Sequence, residues 1–546
     1  MRSPKRWWIE RRAAASAEKP VVADDVPLRP MPFWPVMTVV VLVVLAGGGL
    51  AMWLLGVWAP LPKSVANPES LRLDRIKTGL TVAAGLAAGA TLLMTLRRQT
   101  LSERAQREAE KAQRFAEAAQ RFAEADALEQ RTTALYVAAA DQLASDKAAV
   151  RLAGLYALER LGQDDPKLRQ TVVDVWCAYL RMPFEPPADV LRRNVEGSPA
   201  YRAADVEVAD RAEDAQRRQE LEVRRTAQRL LTTHLAIGVD PQALNGRYWL
   251  GGDDARLDVD LTGAVLVNLF LDGCALNNVN LAEAQFHGFA DLGGAQFHGV
   301  ADLGRAQFHG FANLNEAQFH GDANLDGAQF HGVASLDGAQ FHGISYLSGA
   351  QFHDVASLDE AQFHGISYLS GAQFHDGVHL HGAQFHGGVH LRRAQFHGVA
   401  NLDGAQFHGV ANLDGAQFHG DANLGGAQFH RGANLVGAQF HRGANLGGAQ
   451  FHGDVDLVGA QFHDGVDLDG AEFHGVANLA GAKFHRVAHL GGAWATPKVR
   501  LPVGWELANR PASAEGLYLV VEASGPAEPA GDQNEPDTGP PEENET

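Results

Sequence analysis

The sequence predicts a solenoid of very short strands and turns, with α-helices ahead of it. Three observations carry this. Phe recurs at every eleventh position from Phe286 to Phe484, nineteen times in phase. Within one unit, residues 405–415 (AQFHGVANLDG), Phe407 and Leu413 each stand two residues after an Ala, so two apolar residues per short side can point inward. Gly occurs at nearly every unit, and eleven residues are too few for a helical hairpin, so helices are excluded from the array. Units of this kind stack, each meeting only its neighbours.

The upstream edge exposes a shorter period. Leu261, Leu266, Leu271, Leu276, Leu281 and Phe286 are five apart, with Val259, Ala264, Leu269, Cys274, Val279 and Ala284 two residues before each. This pattern resembles the pentapeptide-repeat family, whose unit is A(D/N)Lxx, over residues 257–490. The resemblance implies a right-handed quadrilateral β-helix, an all-β solenoid with four pentapeptides per coil. Here sides of five and six residues alternate, so the expected coil has about twenty-two residues. Two Phe sides should face each other, and Phe407 should stack on Phe429. The extra residue, Val410 in one unit and Asp421 in the next, should bulge at a corner.

In chain order, residues 1–35 form a basic tail. Residues 36–58 and 78–96 carry no charge and are long enough to span a bilayer, giving a transmembrane pair within 36–96 joined by a loop over 59–77. Arg and Lys flank the outer ends, so the positive-inside bias puts both termini in the cytoplasm and makes this a multi-pass cell-membrane protein with a cytoplasmic repeat domain. Gly85 and Gly89 offer a close-packing pair. Residues 97–144 form a charged helix in which AQREAEK, AQRFAEA and AQRFAEA repeat. Ala105, Ala109, Ala112, Ala116, Ala119 and Ala123 trace a coiled-coil seam with Phe115 and Phe122 beside it, or else the helix is a solvated spacer.

Residues 145–183 read as a HEAT-like helix pair, capped by Ser145 and Asp146 and broken at Asp164, Asp165 and Pro166. Membrane helices, then this segment, then the repeats resemble actinobacterial pentapeptide-repeat membrane proteins with no assigned activity. Asp146, Arg151, Glu159 and Arg160 read as packing charges. Residues 184–256 supply a linker, a charged helix and a plug for the open end of the solenoid. The solenoid itself covers 257–495, residues 496–523 cap it, and the acidic tail 524–546 is expected to be disordered.

Function is less legible. The net charge of -19 argues against a nucleic-acid-binding surface, and Cys177 and Cys274 do not form a disulfide framework. No nucleophile elbow, phosphate loop or zincin motif occurs, so the chain reads as a non-enzyme without a cofactor. Its partners would be the membrane, a cytoplasmic protein and, through its helices, a second copy. Two alternatives stand beside a scaffold. Residues 257–495 carry 23 acidic and 7 basic side chains, which suggests an acidic DNA mimic of the kind the family uses against gyrase, although the charge is dilute beside duplex DNA. Nineteen of 24 histidines follow the repeat Phe and should form two ladders, His397, His419 and His441 on one and His408, His430 and His452 on the other. These are the candidate metal-binding or pH-responsive residues, and acidification should add up to nineteen charges.

Overall fold

The computed structural model describes residues 33–54, 68–193, 211–237, 248–249, 255–486, 488–501, 505–511 and 516–522. Nearly all of the basic tail, the linker over 194–210 and the acidic tail lie outside the described residues. The chain forms two compact units, 1–128 and 129–546. In the first, α1 spans Phe33–Leu54 and α2 begins at Pro68 and runs unbroken to Leu143 in the second. Pro68 is favourable at a helix start and Glu69 adds an acid to the first turn.

Two expectations change here. The loop over 59–77 is cut short, because its last ten residues are already helical, with no internal Pro to break them. Among the described residues one helix is long and apolar enough to cross a membrane, the stretch of α2 that begins at Ile76. The apolar part of α1 among the described residues is the shorter Val40–Trp53. Gly85 and Gly89 face open space, and the close approach between α1 and α2 is Gly47 against Leu86.

The second unit opens with α3 (Ala148–Asp164), α4 (Arg169–Arg181), α5 (Ala188–Arg193) and α6 (Arg211–Leu235). Lys147, not Ser145 or Asp146, is the cap of α3, and the Ser145 hydroxyl accepts from the Lys147 N–H instead. Leu155 and Leu158 of α3 and Val172, Val173, Trp176 and Leu180 of α4 are buried together. The expected loose linker is ordered at its start. Phe184 lies under the Arg224 guanidinium at 4.5 Å, and Arg218 of α6 pairs with Asp189 of α5 at 3.0 Å.

The array is a parallel, four-sided β-solenoid of about eleven turns. Strands pair with the strand twenty-two residues on, as in Gln406↔Gln428 and Ala411↔Ala433. Phe407 stacks on Phe429 with ring centroids 4.6 Å apart, as a twenty-two-residue coil requires. Ala405, Phe407, Ala411 and Leu413 are all at or below 1% exposure, so alternate residues fill the bore. Cys274 takes an inward position and burial raises its thiol pKa. Ser345 and Ser367 also point inward, with hydroxyls that find no hydrogen-bond partner.

The first coil still has the parent length. Val259 pairs with Val279, twenty residues on, and the register shifts between Val267 and Leu269, where the upper coil has gained a residue. The Asn268 side chain accepts from the Phe289 N–H at 3.0 Å, and Asn278 accepts from Val300 N–H at 3.0 Å. Two asparagine side chains thus absorb the two extra residues, and every later coil keeps the longer form. After each Leu the chain turns through a left-handed residue, usually Gly but Glu283, Arg305, Glu316, Glu360 and Arg393 at φ 55–59°. The Asn or Asp before Leu caps that turn. Asn412 Oδ1 accepts from Asp414 N–H at 3.1 Å and Asn423 Oδ1 from Gly425 N–H at 3.0 Å, which is the physical content of A(D/N)Lxx.

The open edge of the first coil, a liability for any sheet, is closed by two glutamines of the helices. Gln170 of α4 donates to Asp258 O and accepts from Asp258 N–H, both at 2.9 Å, and Gln228 of α6 does the same with Val267 at 3.2 and 3.4 Å. The open end is therefore closed mainly by α4 and α6, and of the plug expected over 237–256 the described residues add Ile237, whose N–H reaches Gly273 O, and the buried Trp249. At the far end Trp494–Ala495 continues the last Phe face and pairs antiparallel with Tyr518–Glu522, itself paired with Trp505–Pro511.

Candidate functional site

Because residues alternate in and out along each strand, the Gln before each Phe and the His after it stand side by side on the outside. Two opposite faces therefore carry a Gln row and an imidazole row. One His ladder runs from His287 to His485 and the other from His298 to His474, with neighbouring rings 4.5–5.2 Å apart and nearly parallel. The six candidates fall on them as the period requires. His397, His419 and His441 stack at 4.8 and 4.6 Å, and His408, His430 and His452 at 4.5 and 5.2 Å.

Imidazole lone pairs lie in the ring plane, so stacked rings aim them side by side. A shared zinc, with bonds of about 2.0–2.1 Å, needs two nitrogens within roughly 4.1 Å and converging lone pairs. The rings stack with centroids 4.5–5.2 Å apart, and among the described residues no group of three His, Cys, Asp or Glu side chains could hold a metal ion. The ladders are also less wet than an outward position implies. His287 is buried, and burial first, then the neighbouring His309, pushes its pKa down to about 4. Burial likewise lowers His309, His331, His397, His408 and His441, with stacked neighbours contributing at all but His309. Acidification to pH 5 therefore adds fewer than nineteen charges, because His287 stays neutral there.

The charged groups at the corners pair between coils. Arg392 meets Asp414 at 3.2 Å, His381 meets Asp403 at 3.3 Å and Arg305 meets Glu283 at 3.5 Å. Within the helices, Arg151 and Glu159 sit in packing roles, Arg151 on Glu220 at 2.9 Å and Glu159 on His234 at 2.9 Å, while Arg160 and Asp164 form an exposed pair. Sequence reasoning missed the centre of this region. Arg224, 2% exposed, donates to Glu220 and to the carbonyls of Leu180 and Met182, and Glu220 also accepts from Arg151 and the Tyr179 hydroxyl. His234 lies buried against Trp249, ring centroids 4.0 Å apart, and Trp176 lies near both, 5.6 Å from Trp249 and 6.1 Å from His234. The one available signal was the amphipathic spacing of Leu221, Arg224, Gln228 and Leu231 on α6.

Comparison with protein families agrees with this geometry. Two family models described as pentapeptide repeats, of eight and nine copies, match residues 258–289 and, in overlapping segments, 292–483. Residues 258–483 are pentapeptide repeats. The eight-copy match covers the five-residue sides, and the nine-copy segments cover the coils in which five and six alternate. No curated protein and no solved structure matches the chain.

Proposed function

We propose that this pentapeptide-repeat protein is a membrane-anchored, non-catalytic scaffold, with its array as a docking surface for a cytoplasmic protein. Repetition is the observation that carries the reading. Along ten coils the same outward side chains recur at 4.4–5.1 Å steps, set by the Phe stack beneath them, which suits an extended partner better than a single small substrate. A gap in the bore, about 10 Å³ and lined by Leu and Phe, holds at most one water. The uncharged stretches over 36–58 and 78–96 would anchor the rod as a hairpin with both ends in the cytoplasm.

Proximity labelling in native membranes tests this, comparing the full chain with a variant whose His and Gln rows on both faces are changed to Ser. The scaffold reading expects cytoplasmic neighbours that the variant loses while both chains stay in the membrane fraction. Identical neighbour sets for the two chains would overturn docking on these faces. Reporter fusions at the N-terminus and after Arg98 should both report cytoplasm, and an outside signal from either would overturn the hairpin.

A further inference from the structure

From Leu101 to Gln130 every described side chain of α2 is exposed except Ala118, which is half-buried. Two large apolar residues on this stretch, Phe115 and Phe122, are 76% and 77% exposed. They are seven residues apart and so share one face. Placing Phe at position d of a heptad puts Ala112 and Ala119 at a, Ala116 and Ala123 at e, and Ala118 and Ala125 at g. All three polar residues of each AQRFAEA unit then fall at b, c and f. That outer face is satisfied within the helix, since Gln113 donates to Glu117 at 3.1 Å and Gln120 to Glu124 at 2.8 Å. Leu101 also falls at d, but Glu108 at d separates it from Phe115, so the seam spans 112–125 and stops where Asp126 and Glu129 take seam positions.

We infer that this face pairs with the same face of a second copy of the chain, in parallel, as a short Phe/Ala coiled coil. A heptad face fits another helix of the same period, and the chain's other amphipathic helices, α3, α4 and α6, already bury theirs in one core. The area is that of a short interface. Two Phe from each copy bring about 600–1,000 Å² from the rings alone, at about 150–250 Å² each, and the Ala rows extend this toward the roughly 1,200 Å² at the lower bound of a stable interface. Small residues at a, e and g let the backbones close on the rings. With no charge at e or g across 112–125, the Phe knobs set the register. The parallel orientation rests on the membrane reading, because two copies inserted alike leave the bilayer in the same direction.

Both native cysteines are buried, so introduced ones report cleanly. The full chain in its membrane would carry A112C, A119C or, on the outer face, E117C. Mild oxidation should link A112C and A119C chains each to its own kind at least tenfold more than E117C. An antiparallel pair would link at most one of the two seam positions, and either that outcome or equal linking by E117C overturns the proposal. F115E/F122E added to A119C should abolish linking while the array keeps its protease resistance, and unchanged linking there also overturns it. Sedimentation after alkaline washing reads membrane anchorage separately, so loss of the anchor is distinguishable from loss of the seam.

Discussion

The helical cap and the array share one continuous core yet are stabilised in opposite ways. In the cap, Arg224, Glu220, Arg151 and Tyr179 make a network in which each member has a different role and no substitute. In the array, each Phe, Asn and left-handed turn is one of many equivalents, and its neighbours above and below repeat its contacts. Damage should therefore be concentrated in the cap and diluted in the array.

The largest effect belongs to the cap. Glu220→Ala leaves Arg224 charged and 2% exposed without its carboxylate, and should cost about 3–5 kcal/mol. Urea unfolding of the full chain in detergent measures it, and a loss below 1 kcal/mol would show that the network can be replaced.

Next comes acid. His287 lies where α5 packs on the first Phe face, and its folded pKa near 4 is below the unfolded value near 6.5. Between those values the unfolded chain binds the extra proton, so stability falls as pH drops from about 6.5 to about 4, by about 3 kcal/mol from this residue. His287→Gln should flatten that part of the pH profile, whereas His397→Gln, at an exposed rung whose pKa is lowered in the same direction, should flatten it less. Equal flattening by both variants would erase the difference between cap and array.

The smallest effect is expected from the largest excision. Removing residues 405–415 brings like onto like, because each coil is two equivalent halves, and cooperative unfolding should survive with little change in midpoint. Removing only 411–415 sets Phe on Leu and should broaden or split the transition. Identical melts for the two deletions would dissolve the two-halves account of the coil.

What the sequence disclosed follows the same division. The Phe period, joined to the four sides that the family resemblance implies, led to the coil length, the stack of Phe407 on Phe429 and both His ladders. The left-handed turns at Glu283 and Arg305 were not read from the sequence, although they are places where the unit exchanges its Gly for a charged residue. Gln170, Gln228 and the His234–Trp249 contact were not legible, because each joins residues remote in sequence at a place that occurs once. The cap of α3 slipped by two residues, since Ser145 and Lys147 differ only in which turn the backbone closes. The continuity of α2 was hidden by its composition, apolar and then charged, which invited a boundary where the backbone has none.

The equivalence of the two halves of a coil has a genetic consequence. A replication slip that gains or loses eleven codons within the array leaves every inward position filled, so selection on folding barely sees it. Each event would lengthen or shorten the rod by half a coil, about 2.4 Å, and turn everything downstream by half a revolution. The terminal hairpin Trp505–Glu522 would then alternate between the two imidazole faces from one allele to the next, and allele length becomes a setting for both reach and orientation.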